Sequence, residues 1–134
     1  MANAEVVEPP TFHCFESFID YLKDPGSAAP LLSPRRFSQA LHIDLQTLAE
    51  KAHVHRNTIT RAPGSRGIQT YLREAIRPIK AATDLNRDVN RALFWYRNEP
   101  LPAFGYKTAE QLVSEDRTED LLRFLASLEV GAAG

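Results

Sequence analysis

One cysteine, Cys14, is all this chain of 134 residues has, so it can form no internal disulfide and build no thiolate metal site. Its neighbour His13 offers no catalytic pairing, because adjacent side chains on a helix point about 100° apart. No glycine-rich phosphate loop, zinc signature or pair of acids following strands occurs, and His42, His53 and His55 lack ligand spacing to any carboxylate or cysteine. These absences argue against an enzyme, a metal and a cofactor. Apolar runs are short as well, far below the roughly 18 residues that cross a bilayer. The start Met1-Ala-Asn-Ala-Glu5 has neither the basic residues nor the apolar stretch of a secretory signal. A cytoplasmic protein without membrane contact is expected.

What is present is the composition of a globular chain, 43% hydrophobic and 25% charged, with a net charge of −1. That small total conceals a segregation. Residues 33–97 carry twelve bases against five acids, residues 1–32 one against five, and residues 98–134 three against seven. A basic centre between acidic ends points to an anionic partner for the centre and a different one for the C-terminus. Arginine-rich, solvated helix faces are the alternative.

Helical periodicity dominates the chain. Residues 1–11 have no period and read as a mobile arm. Phe12, Phe15, Phe18, Ile19 and Leu22 recur at three and four, predicting a helix over 12–23, closed by the linker Asp24 to Pro30. Ser33-Pro34 and Asp44 are helix starts, and a third helix begins near His55 and stops at Pro63-Gly64. Ile68, Tyr71, Leu72, Ala75, Ile76 and Ile79 trace another stripe in which Pro78 is a candidate kink. Thr83 or Asp84 is expected to cap the next helix, facing inward through Leu85, Val89, Ala92, Leu93 and Tyr96. Thr108 with Gln111 forms a capping box, and Thr118 starts a last helix carrying Leu121, Leu122, Leu125 and Leu128. Gly131 to Gly134 reads as a frayed tail. With no alternating run and no repeat, the expected fold is all-α. Its expected divisions are 1–32 (arm and short helix), 33–83 and 84–134.

From Leu45 to Ala62, the residues Leu48, Ala52, Val54, Ile59 and Ala62 fall where two crossing helices lock, with Ala49 small at their approach. The spacing resembles the helix-turn-helix of DNA-binding repressors. A glycine often sits there where this chain has His53, and histidine tolerates a left-handed turn better than most residues. The resemblance implies that the second helix lies in the major groove of operator DNA and presents His55, Arg56, Asn57, Thr58 and Arg61. Arginine can bind guanine bidentately and asparagine adenine. Arg35, Arg36, Lys51 and Arg66 would supply phosphate attraction. A helical hairpin that merely builds the core is the alternative.

The most unusual stretch follows. Asn90-Arg-Ala-Leu-Phe-Trp-Tyr-Arg-Asn-Glu-Pro-Leu-Pro-Ala-Phe-Gly-Tyr-Lys-Thr-Ala-Glu-Gln-Leu-Val113 crowds aromatics, prolines and a helix start into one connection. It suits either a corner packed on the core or an exposed platform edged by arginine. With Arg117 and Leu121 to Leu125, it resembles the toxin-binding domain of Xre/MbcA/ParS-type antitoxins over about residues 85–131, and an Xre-like helix-turn-helix before it is that family's domain order.

The resemblance implies the antitoxin of a bacterial type II toxin–antitoxin pair, whose toxin has a RES domain and consumes NAD⁺. The C-terminal region would cover the toxin's NAD⁺ pocket while the helix-turn-helix represses the shared operon, as a homodimer within a larger complex. The toxin-facing candidates carried over are Trp95, Arg97, Phe104, Tyr106, Leu128, Glu129, Val130 and Gly131. Family members often have glycine at the positions of Tyr106 and Asp116. A stand-alone dimeric helix-turn-helix regulator is the alternative from another class, and a purely structural adaptor a third.

Overall fold

The computed structural model describes residues 10–133, with side chains through Gly131. Among the described residues the chain is all-α, without strands, and runs α1 (Phe15–Leu22), α2 (Pro34–Leu41), α3 (Leu45–Ala52), α4 (Arg56–Arg61), α5 (Arg66–Asn86), α6 (Val89–Asn98), α7 (Ala109–Ser114) and α8 (Thr118–Ala133). A 3-10 turn, Pro102–Phe104, joins α6 to α7. Among the described residues no helix is long and apolar enough to cross a membrane.

Local chemistry sets most helix starts. Ser33 accepts from the Arg36 amide at 3.2 Å with Pro34 in the first turn, and Asp44 accepts from the Thr47 amide at 2.7 Å. Each satisfies one of the amides that a helix N-terminus leaves unpaired. That contact, first of all, holds the Asp44 carboxyl below its ordinary range. Thr108 and Gln111 form the capping box reciprocally, Oγ1 accepting from the Gln111 amide and Oε1 from the Thr108 amide.

Elsewhere the boundaries move. α1 begins at Phe15, and Phe12 precedes it outside the helix, its ring buried against Phe18 and Tyr21 and both its backbone groups bonded to the Asn90 side chain at 2.9 and 2.8 Å. The predicted break at Thr83 or Asp84 is absent, and α5 continues through it to Asn86. Thr83 bonds back to the Ile79 carbonyl and Asp84 pairs with Lys80, whereas Asp88 accepts from the Asn90 and Arg91 amides and starts α6. α5 also continues through Pro78, whose ring is fully buried. At the C-terminus α8 extends through Ala133, so Gly131 is helical rather than part of a frayed tail. Residues 1–9 of the expected arm, and Gly134, lie outside the described residues.

α5 is the axis of the molecule. It packs on α6, α7 and α8 and also on α2 and α3. One cluster of buried side chains runs continuously from Phe12 and Phe18 through Leu48, Ile59, Leu72, Ile79 and Tyr96 to Leu121 and Leu125. Residues 83 and 84 lie inside α5. Each fully buried Leu, Ile or Phe contributes roughly 1.5–3 kcal/mol, so the shared core holds the basic centre and the acidic end to one frame.

Two candidate binding surfaces

α3 and α4 cross over a small apolar contact of Leu48, Ala49 and Ile59, with Val54 half-buried between them. α3 ends at His53 with φ 57°, while the His53 amide donates to Glu50 O and the Val54 amide to Ala49 O. This is the hydrogen-bond pattern of a Schellman turn, built without glycine. Ala62, expected to lock the pair, is exposed instead, since the chain has left α4 and its backbone is no longer helical there.

His55, Arg56, Asn57 and Arg61 are all exposed, and Thr58 is half-buried on the flank of α4. The His55 ring caps the helix, Nδ1 accepting from the Asn57 amide at 3.1 Å, which leaves its other edge outward. Arg56 and Arg61 form no salt bridge among the described residues, nor do Arg35, Lys51 and Arg66. Arg36 is different. Its guanidinium donates to the Tyr21 carbonyl at 2.9 Å and lies 5.2 Å from the centre of the Tyr21 ring, so it ties α2 to α1. A backbone acceptor and an aromatic face, not an opposite charge, hold it in place.

The second surface grows from the corner between α6 and α7. The Leu101 amide donates to Lys107 O and the Tyr106 amide to Leu101 O, both at 2.9 Å, closing the loop. Gly105 and Tyr106 both take left-handed backbone, φ 65° and 68°. Phe104 is half-buried, edge-on to Phe124 of α8 at 5.5 Å, with the Arg117 guanidinium 5.3 Å from its centre. Trp95 is half-buried against the core.

Arg97 turns inward. Its Nε donates to Glu110 Oε2 at 3.0 Å and Nη1 to the His42 carbonyl at 3.3 Å, joining α6 to α7 and to the end of α2. Glu110 is only 4% exposed, so the pair belongs to the frame rather than to a rim of free charge. Beside it the Tyr71 and Tyr96 hydroxyls lie 3.4 Å apart. Burial pushes the Tyr71 phenol up to about 12 and Tyr96 well above its ordinary value.

What protrudes is apolar. Tyr106 is 70% exposed and Val130 72%, and Leu128, Glu129 and Gly131 are exposed with them. α8 is anchored by Leu121 and Leu125 against the core and by Glu119, which meets Arg77 of α5 at 2.7 Å. Leu122 is half-buried, and from Ala126 to Gly131 every side chain is uncovered. The stripe Leu121, Leu125, Leu128 therefore continues beyond the body that covers its first part.

The two surfaces are joined through α7. Ser114 Oγ donates to the Lys51 carbonyl at 2.8 Å, and His53 Nε2 lies 2.7 Å from the Ser114 carbonyl, so Nε2 carries the proton in that contact. Asp116 follows with φ 60°, its amide and that of Arg117 donating to Val113 O and Leu112 O. Phe94, part of the aromatic stretch that suits a core corner or an exposed platform but not one of the toxin-facing candidates, is 70% exposed on α6. The signal was available: an inner face of Val89, Ala92, Leu93 and Tyr96 leaves position 94 on the opposite side. In comparisons with protein families, curated proteins and solved structures, the chain matches none.

Proposed function

We propose that this chain is the antitoxin of a bacterial type II toxin–antitoxin pair: it neutralises a RES-domain, NAD⁺-consuming toxin by covering the toxin's active site, and it represses its own operon through α4. It acts in the cytoplasm as a homodimer within the larger complex. Inhibition is by occupancy and needs no chemistry from this chain. The observation that carries the reading is the uncovered end of α8, where Leu128 and Val130 protrude beyond a body already stabilised without them. An apolar helix end on a rigid base is what a groove in a partner recognises. Tyr106 supplies an exposed aromatic anchor in the same acidic part of the sequence.

Three further features support it. Each of the positions where the resembled families often carry glycine, His53, Tyr106 and Asp116, adopts left-handed backbone. The α4 surface carries Arg56 and Arg61, which form no salt bridge among the described residues, beside the exposed Asn57, side chains of the kind that read base edges. Along the sequence, twelve of the seventeen carboxylates lie in residues 1–32 and 98–134, outside the basic centre that contains α4.

The test begins with the adjacent open reading frame, expected to encode a RES-type toxin that co-purifies with this chain. Replacing Arg56 and Asn57 together with alanine should weaken operator binding by roughly 1–3 kcal/mol per lost base contact, and leave growth rescue intact. Loss of rescue in a folded variant of that kind would refute the separation of the two surfaces.

A further inference from the structure

A mostly apolar cleft of about 430 Å³ lies between α2 and α6, with Leu41, Leu93 and the exposed Phe94 in its walls. Neither proposed surface uses it. The described residues begin on its rim, where Pro10 and Thr11 border the cleft, and Phe12 just after them is pinned by its buried ring and its two bonds to Asn90. The segment before Pro10 therefore starts at the mouth of the cleft. Arg97 borders the cleft, its Nη2 without a hydrogen-bond partner among the described residues, and no carboxylate among them does. Residues 1–9 hold Glu5 and Glu8 and neither Lys nor Arg.

The sequence also sets a phase. Proline fixes φ near −65° and drives the residue before it out of the helical region, so Glu8-Pro9-Pro10 favours a polyproline II path. That path rises about 3.1 Å per residue and repeats every third residue. Val7 is thus about 9 Å from Pro10 and on the same edge, whereas Val6 points elsewhere.

We propose that Val7 of the same chain fills this cleft, making the segment before Pro10 a strap that closes the junction of α2 and α6. Reach, phase and charge agree on this occupant: the chain leaves Pro10 at the cleft, Val7 repeats the edge on which Pro10 meets it, and the acidic segment approaches a rim that has an arginine and no acid. The proline pair also limits the freedom that docking takes away. Filling the cleft removes both the valine and the side chains of Leu41 and Leu93 from water. Any other ligand for this face of α6 must first displace the strap. The proposal stands whether or not a toxin is the chain's partner.

Nuclear Overhauser contacts in the full chain test it, measured on an equal mixture of isotope-labelled and unlabelled protein so that contacts within one chain are separated from those between chains. Val7 methyls are expected to contact Leu41 and Leu93 of their own chain. Val7→Asp should abolish these contacts and shift the Leu41 and Leu93 methyl resonances, while Val6→Asp, equally acidic, leaves those resonances in place; helical circular dichroism should be unchanged in both. Absence of the contacts in the wild-type chain overturns the proposal, and so do contacts found only between chains, which would make a second copy the occupant. Methyl shifts as large with Val6→Asp as with Val7→Asp overturn the three-residue phase on which the choice of Val7 depends.

Discussion

The end of α4 and the end of α8 are both exposed, yet they expose opposite chemistry. α4 presents arginine, asparagine and histidine above a contact as small as Leu48 and Ile59, and α8 presents leucine and valine beyond a base fixed by Leu121, Leu125 and the Arg77–Glu119 pair. A charged end is ordinarily solvated and needs no partner to explain it. An apolar end is uncovered at a cost of roughly 25 cal/mol for each Å² left in water. The second surface is therefore the more informative of the two, although the first resembles a known motif more plainly.

The sharpest way to break the comparison is to ask whether Arg97 belongs to the frame or to the binding surface. Arg97→Ala leaves Glu110 buried without its partner and should lower stability by roughly 2–4 kcal/mol, measured by urea denaturation. Adding Glu110→Gln should recover most of that loss. An Arg97→Ala chain of unchanged stability would return this residue to the list of free partner contacts.

The next effect concerns the same frame under alkali. The largest influence on Tyr71 is burial, which raises its phenol from 10.0 to about 12. The unfolded chain gives up this proton near its ordinary value while the folded chain keeps it. The contribution is fully present below pH 10 and is lost as pH rises through about 12, roughly 2–3 kcal/mol in all. Tyr71→Phe should flatten the alkaline limb of stability against pH. A wild-type chain equally stable at pH 9 and pH 11.5 would show that the tyrosine pair is not enclosed.

The smallest effect sharpens the turns. Asp116 holds φ 60°, where a Cβ is strained, and Asp116→Gly exchanges that strain for unfolded-state entropy. A gain of about 0.5 kcal/mol is expected in thermal unfolding. His53→Gly should gain less, because it also removes the ring contact to the Ser114 carbonyl. Equal gains at both positions would deny that contact a role in joining α3 to α7.

How much of this was legible in the sequence follows from how local each cause is. Ser33, Asp44 and the Thr108–Gln111 box announce themselves because a cap is decided within four residues. The start of α6 did not, since Thr83, Asp84 and Asp88 are all cap-type residues, and only the continuing core stripe of α5 through Ala82 selects Asp88. Long side chains were the least legible. Arg36 and Arg97 read as free positive charge, but each is turned by a carbonyl or carboxylate on an element distant in sequence. Phe104 and Trp95 are half-buried by packing, Phe104 against Phe124 of α8 and Trp95 against the core, leaving Tyr106 and the exposed residues of α8 as the exposed part of the candidate toxin surface.

The measurement that bears most directly on the central claim is growth rescue by a chain ending at Ser127, co-expressed with the product of the adjacent reading frame. Cutting after Glu115 would also remove Leu121 and Leu125 from the core, whereas cutting after Ser127 leaves both in place and removes the exposed Leu128, Glu129 and Val130. The shortened chain should keep its circular dichroism and operator affinity and lose the ability to rescue growth. Rescue equal to that of the full chain would contradict the account.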